Sequence, residues 1–453
     1  VGWGKSLLIA EAARLMGDKT LILQPSKELL QQNHDKITSY GIPATIYSAS
    51  CGKKELSNMI YATLGSIKKV VDKLKEMGIR NVLIDEAHAG YSPEDGSEFM
   101  TFMNELKPKK VIGFTATPCR LKNMSIGQTS YSQLNFITRM RPVYFKNLIH
   151  VIQVEEMIRQ GFWTPLKYET WDFNGDALKL NSNGSEYTAE SISEAVRKNG
   201  LNNLILRRLM VLKDVCRSIL VFMDSVESCN TAAEWMNAKI CAGMAEVVHG
   251  GTPKKQREAI VERFKSGGTR VVFNYSALGT GFDHPGLDCV IVGRPTFSFS
   301  SFYQWLGRAV RIKDGKDSAL VVDCCNNSSR FGDIRKLSIE NYKGYGWGMF
   351  IGDRLITNIP MGDKVTKTDL DIKAAKKDRR RGLAQGITAS PVPGRPDHPL
   401  GSTLMTFGKY CGWMLHSIPV SYFKFINETF DWDNDRNKDI KEYIDFLIKN
   451  NRL

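Results

Sequence analysis

The chain has 453 residues, 42% hydrophobic and 24% charged, an ordinary globular mixture that excludes disorder or fibre as the main state and leaves room for two to four domains at about 100–200 residues each. Lysine and arginine number 62 against 48 aspartates and glutamates, a net charge of +14, which suits a polyanionic partner such as nucleic acid as well as it suits plain solubility. No apolar run approaches the ~20 residues of a membrane-spanning helix, the first residues do not read as a signal peptide, and nine cysteines without CxxC spacing fit free thiols in a reducing cytoplasm better than zinc ribbons or secreted disulfides. No membrane partner is expected.

The sequence opens Val1-Gly2-Trp3-Gly4-Lys5-Ser6. Gly4, Lys5 and Ser6 match the end of the phosphate-binding loop G-x-x-x-x-G-K-[ST], in which the lysine neutralises β/γ-phosphates and the hydroxyl ligates Mg²⁺. The first glycine of that pattern would precede residue 1, and no initiator methionine is present. The expectation is a chain cut inside the loop. A period-3.6 helix follows from Ser6 to Leu15, then a strand at Thr20–Leu23. Further strands are expected at Asn81–Ile84 and Lys110–Phe114, and, later, at Ser218–Phe222, Glu246–His249, Arg270–Phe273, Cys289–Val292 and Ala319–Val322. Continuous apolar strands alternating with helices, such as Lys255 to Phe264, predict parallel sheets covered on both faces. A polar stretch, Asp172–Glu186, interrupts the alternation. The fold class is therefore α/β, with two domains over 1–170 and 190–345. A basic and proline-rich linker is expected over 346–399, containing Lys373–Arg381 (KAAKKDRRR), and a small α+β module over 400–453. That module ends in an amphipathic helix with Ile440, Tyr443, Ile444, Leu447 and Ile448 on one face.

Asp85-Glu86-Ala87-His88 follows the strand ending at Ile84. Acidic residues at the carboxyl end of a parallel strand face the crevice where ligands bind. The first can hold Mg²⁺, and the second can deprotonate a water. With the Gly-Lys-Ser segment about 80 residues upstream, the pair is far more specific than either motif alone. Here the chain resembles a superfamily 2 helicase of the DEAH-box kind, over roughly residues 1–330. The resemblance implies two RecA-like domains and ATP with Mg²⁺ as cofactors.

Further segments carry the resemblance. Thr115-Ala116-Thr117-Pro118 is similar to the family's third motif, and with His88 it would couple ATP state to the nucleic-acid cleft. Pro25-Ser26-Lys27-Glu28-Leu29 is similar to a segment that contacts a strand's phosphates; Ser26 reads equally as a helix cap. Thr63 and Gly65, in Tyr61–Ser66, resemble a further strand-contacting motif. Gly279-Thr280-Gly281-Phe282-Asp283 is similar to the fifth motif, placing Gly281 and Asp283 near the nucleotide. His249, in a His-Gly segment, would touch the strand or serve turn packing. Gln304-Trp305-Leu306-Gly307-Arg308-Ala309-Val310-Arg311 matches Q-x-x-G-R-x-x-R, which implies that Gln304, Arg308 and Arg311 complete the catalytic site from the second domain. Three apart, the arginines share a face if the segment is helical; such guanidiniums stabilise γ-phosphate charge.

The Gly-Phe-Asp form and Arg294-Pro295-Thr296 resemble bacterial and phage DNA helicases and restriction-motor subunits more than the RNA DEAD-box branch. DNA, single-stranded or branched, is the expected partner of a monomeric motor, with a nuclease, replication or repair protein as a further one and the cytoplasm of a bacterium or phage-infected host as the setting. The adenine-reading segment is not among these residues. Phe407-Gly408-Lys409-Tyr410-Cys411-Gly412 resembles a small F-G-K-Y-x-G module of phage and bacterial nucleases and helicases, either an accessory or a turn packed on the last helix. Three readings stay open: a DNA helicase or translocase, the duplex-pumping motor subunit of a restriction or nuclease assembly, and a nucleic-acid-binding scaffold without ATPase activity.

Overall fold

The computed structural model describes residues 4–16, 19–94, 96–126, 129–278, 282–374, 398–406, 410, 414–429, 432 and 437–451. Two compact units emerge: 1–342 with 346–365, and 343–345 with 366–453.

The first unit holds two six-stranded sheets. The first sheet comprises β1 (Thr20–Leu23), β2 (Thr45–Ser48), β3 (Lys53–Lys54), β4 (Met59–Ala62), β5 (Asn81–Asp85) and β6 (Lys110–Phe114), in the order β3-β2-β4-β1-β5-β6. All pairings are parallel except β2 with β3. Both faces are covered, which is why these strands are apolar throughout. Leu21, Leu23, Val82 and Ile84 pack on Leu74, Phe99, Phe102 and Leu106, while Ile22, Tyr61 and Leu83 pack on Ile9, Ala13, Leu30 and Ile37. Full burial of each such side chain is worth about 1.5–3 kcal/mol. The helix Lys27–Ser39 starts where Ser26 Oγ accepts from Leu29 N at 3.3 Å, and buries Leu30, Asn33 and Ile37 at helical spacing.

A hairpin follows, β7 (Cys119–Ile126) and β8 (Thr129–Phe136). The second sheet comprises β9 (Leu166–Thr170), β10 (Ile219–Phe222), β11 (Ala245–His249), β12 (Val271–Tyr275), β13 (Cys289–Val292) and β14 (Ala319–Asp323), all parallel, in the order β11-β12-β10-β13-β14-β9. Leu220, Phe222, Val290 and Val292 face Phe299, Phe302 and Leu306; Ile219, Val221, Val271 and Ile291 face Ile205, Leu209 and Met236. The eight strands and two helices expected from the sequence are present, with ends shifted by at most two residues. The architecture is that of two RecA-like parallel-sheet domains.

Packing changes partners earlier than the polar break at 172–186. Cys119, Leu134 and Phe136 of the hairpin, and Val154, Met157, Trp163 and Leu166, are buried in the core of the second sheet. The segment expected as a linker from 346 begins instead with strands: β15 (Leu337–Tyr342) pairs antiparallel with β16 (Gly346–Ile351), and β16 with β17 (Arg354–Leu355). Met349 and Ile351 join the same core, which explains why this stretch is ordered despite its glycines.

In the second unit, the helices Val420–Thr429 and Lys438–Lys449 enclose Leu415, Ile418, Phe423, Tyr443, Ile444 and Leu447. Ile448, expected on the buried face, is 44% exposed. Among the described residues of 398–451, the β-structure is an isolated bridge from Leu404 to Met414. Residues 375–381 of the basic stretch, and Phe407–Lys409 with Cys411–Gly412, lie outside the described residues.

Candidate active site

Register brings the expected residues to one edge. Leu23 pairs with Ala62 and Ile84, and Asp85 with Phe114. The residues that follow β1, β4, β5 and β6 therefore line the carboxyl edge of the first sheet, where open α/β sheets bind ligands. The helix Lys5–Leu15 opens there. Its cap, Gly4, sits at φ 80°, a left-handed conformation that costs a side chain energy but not glycine.

Lys5 Nζ lies 2.8 Å from Asp85 Oδ1 and also bonds Glu86 Oε1. Asp85 is 2% exposed, and burial raises its carboxyl above the ordinary range against the pull of Lys5. Burial also acts to raise Glu86, but Lys5 and His88 outweigh it and hold Glu86 well below the usual carboxylate value. For Lys5, burial acts downward, yet Glu86 and Asp85 together raise it. Glu86 and Lys5 thus face each other as a charged pair. Glu86 also has φ 47°, a strained conformation of the kind that clusters at functional sites.

Ser6 Oγ donates to Asn33 Oδ1 at 2.6 Å, and Asn33 Nδ2 donates to Gln24 Oε1 and to Asp85 Oδ2, both at 3.2 Å. Asn33 therefore ties the Ser6 hydroxyl to the Asp85 carboxylate. One hydroxyl and one carboxylate are hard oxygen donors of the kind Mg²⁺ takes when water and substrate phosphates supply its remaining positions. Among the described residues no group of three or more His, Cys, Asp or Glu could hold a metal on its own.

His88 connects this cluster to the third motif and onward. Its Nδ1 lies 3.3 Å from Glu86 Oε2 and 2.7 Å from Thr115 Oγ1. Its Nε2 lies 3.1 Å from Ser300 Oγ, which in turn lies 2.7 Å from Thr117 Oγ1. Ser300 belongs to the second domain.

From that domain, Arg308 is 8% exposed and donates to Phe282 O at 2.6 Å. Burial, then Arg311, pulls its guanidinium down to about 10 while Glu86 and Asp283 oppose, so it stays charged at neutral pH and within the field of Glu86. Arg311 Nη1 lies 3.4 Å from Asp283 Oδ1. The two arginines do not share a helix face. The helix Phe299–Leu306 ends at Gly307, and Arg308 and Ala309 continue in tight turns with N–H bonds to Trp305 O and Leu306 O. Gln304 does not join the Lys5–Asp85–Glu86 cluster; it lines a cavity of about 320 Å³ with Asn274, Arg294, Ser301 and Trp305. Gly281 lies outside the described residues.

Of the expected strand-contacting residues, Pro25 to Lys27 and Thr63 to Gly65 follow β1 and β4 at this edge, while His249 ends β11 in the second sheet. Pro25 is exposed, Ser26 caps its helix and Lys27 begins it. Thr63 Oγ1 donates to Ser66 Oγ at 3.2 Å, and Gly65 is exposed. His249 Nδ1 accepts from Gly251 N at 3.1 Å, closing a turn on the second domain.

Sequence reasoning missed Asn33, Ser300 and Arg120. Asn33 had a signal: a polar residue three after Leu30 and four before Ile37, on the apolar stripe of a helix. Ser300, one of several serines in Ser298–Ser301, and Arg120 carried none.

Two family models match the chain. Residues 1–120 match "Type III restriction enzyme, res subunit", and residues 201–313 match "Helicase conserved C-terminal domain". The chain is 24% identical over 279 residues to a putative ATP-dependent helicase IRC3 of Saccharomyces cerevisiae, covering 61% of this chain and 38% of that protein. It is 24% identical over 326 residues to a 51.5 kDa protein of a Lactococcus phage, covering 71% and 63%. A solved fragment of a putative HsdR subunit of a type I restriction enzyme from Vibrio vulnificus YJ016 aligns at 19% identity and a TM-score of 0.49, over 70% of this chain and 55% of that one. The chain spans less than two thirds of each of these proteins. Two segments of the chain are thus similar to known families, residues 1–120 to a type III restriction enzyme res subunit and residues 201–313 to a helicase C-terminal domain.

Proposed function

We propose that the protein is an ATP-driven DNA motor, a helicase or translocase, that hydrolyses ATP between its two RecA-like domains. One observation carries the reading: a lysine at the start of a helix, a buried aspartate and a charged glutamate are in contact at the carboxyl edge of one sheet, with a buried arginine of the second domain inside the glutamate's field. In the structure, Lys5 is held by both carboxylates. A γ-phosphate draws the ammonium toward itself and frees Glu86. Ser6 and Asp85, linked by Asn33, are the residues that would hold Mg²⁺, which screens phosphate charge when bound. Glu86 orients an attacking water and takes its proton, and Arg308 stabilises charge developing on the transferred group. Arg311, paired with Asp283, supports the same side. His88, Thr115 and Thr117 pass the state of Glu86 toward the strand-contacting edge, where Pro25, Ser26, Lys27, Thr63, Gly65 and, from the second domain, His249 are the candidates to meet a phosphate backbone.

A second reading, the duplex-translocating motor of a restriction assembly, is favoured by the match of residues 1–120 to the restriction res-subunit model. ATP hydrolysis by the full-length protein, measured alone and with single-stranded DNA, duplex DNA and RNA, tests the proposal. Stimulation of at least about tenfold by DNA, with RNA weaker, is expected; hydrolysis indifferent to all three would overturn it. Strand displacement then separates a helicase from a duplex translocase.

A further inference from the structure

Two side chains outside the matched motifs grip the loop that carries Glu86 and His88, and both are fixed to the second domain. Ser300 stands in the first turn of the helix Phe299–Leu306, whose Phe299 and Phe302 are buried in the second sheet's core. Arg120, in β7, donates from Nη2 to Ala87 O at 2.9 Å and to Tyr91 O at 2.5 Å. The hairpin of Arg120 follows the first sheet in sequence, yet it packs with the second. Cys119, Leu134 and Phe136 share the core of Leu220 and Phe222, and Phe136 N donates to Asn358 Oδ1 at 3.1 Å.

Ser300 joins the two loops. Its Oγ lies 3.1 Å from His88 Nε2 and 2.7 Å from Thr117 Oγ1. On its other side His88 Nδ1 meets Thr115 Oγ1 at 2.7 Å and stands 3.3 Å from Glu86 Oε2. Contacts therefore run from Thr117 through Ser300 and His88 to Glu86. Arg120 meanwhile fixes the backbone on either side of His88, at Ala87 and Tyr91. If the second domain moves away from the first, both holds on the loop are lost together.

We propose that Ser300 and Arg120 are positioning residues through which the second domain sets the orientation of His88, and through it Glu86, so that rapid hydrolysis requires one arrangement of the two domains. This rests on the motor reading. Each acts through the loop, by its contacts with His88, Ala87 and Tyr91. Loss of one net hydrogen bond corresponds to about threefold to tenfold in rate. Ser300→Ala keeps the fold but removes the hydroxyl that meets His88 Nε2. Arg120→Lys keeps the charge but moves the donor, because both bonds come from Nη2, which stands one atom further along its side chain than a lysine Nζ, on a rigid planar group.

The test measures kcat and KM for ATP, with and without saturating single-stranded DNA, for the full-length wild type, S300A, S300T, R120K and the S300A/R120K double variant, with melting temperature alongside. S300A and R120K should each lower DNA-stimulated kcat about threefold to tenfold while KM, basal rate and melting temperature stay within about twofold or one degree of wild type. S300T should regain most of the loss. The double variant should lose less than the product of the singles, because both residues hold one loop. Wild-type stimulation retained in S300A would overturn the inference and leave the motor reading intact. Equal loss of basal and stimulated rates with a lowered melting temperature would show a structural role and overturn it as well. A wild type that DNA does not stimulate would remove the motor reading and this inference together.

Discussion

At the scale of single residues, the site is built on charge held out of water. Arg308 is buried and bonded to Phe282 O, with Glu86 and Asp283 among the charges acting on it, and a fixed charge is worth more in such a place than a solvated one. Arg308→Ala should lower kcat about 10³-fold or more while ATP binding, followed by equilibrium titration, persists; wild-type turnover in this variant would remove Arg308 from the reaction. His284 makes a stability prediction. It is buried between Phe264 and Phe282 with Nε2 2.8 Å from Ser218 Oγ. Burial, then Lys265, Lys313 and Lys316, pushes its pKa from 6.5 to about 4, with Asp283 opposing. Between those values the unfolded chain binds a proton that the folded chain does not. Stability should therefore fall as pH drops from about 6.5 to about 4 and lose nothing more from this group below that. Urea denaturation of wild type and His284→Gln across that range should show a shallower fall in the variant.

At the scale of elements, what the sequence revealed depends on burial. Strands covered on both faces, such as Leu21–Leu23 and Val290–Val292, read as apolar runs because no position faces water. Some strands that went unread have mixed composition for physical reasons: β9 (Leu-Lys-Tyr-Glu-Thr) lies at a sheet edge, and the hairpin carries Arg120, Lys122, Asn123 and Gln133 on partly solvated strands. The apolar, buried β4 (Met-Ile-Tyr-Ala) went unread as well. Lys5 stands at the start of a helix, and Asp85–Glu86 and Thr115–Thr117 at the ends of β5 and β6, positions that the local sequence pattern indicates. Asn33 and Ser300 depend on tertiary contacts 27 and 212 residues apart in sequence, which no local pattern reports. The helical face assigned to Arg308 and Arg311 failed because Gly307 ends the helix. A glycine also shapes β6. A Cβ at Gly113 would stand 2.7 Å from both Ala87 Cβ and the Phe145 ring, so this strand approaches the Glu86–His88 loop as only glycine allows. Gly113→Ala should cost about 1–3 kcal/mol in denaturation and lower hydrolysis by displacing Ala87; unchanged stability and rate would show that the loop yields freely.

At the scale of the whole molecule, the net charge of +14 is consistent with a protein that handles a phosphate backbone. Binding to single-stranded DNA should weaken linearly in log Kd against log salt, with a slope reporting the phosphates contacted; fluorescence titrations at several salt concentrations measure it, and a flat line would deny that backbone charge drives binding. The central claim is that Glu86 activates water at a site whose other half is supplied by the second domain. The most direct measurement is steady-state ATP hydrolysis by the full-length protein and its Glu86→Gln variant at saturating ATP and single-stranded DNA. The account predicts a loss of about 10²–10⁴-fold with DNA binding retained; a variant that hydrolyses ATP at the wild-type rate would contradict it.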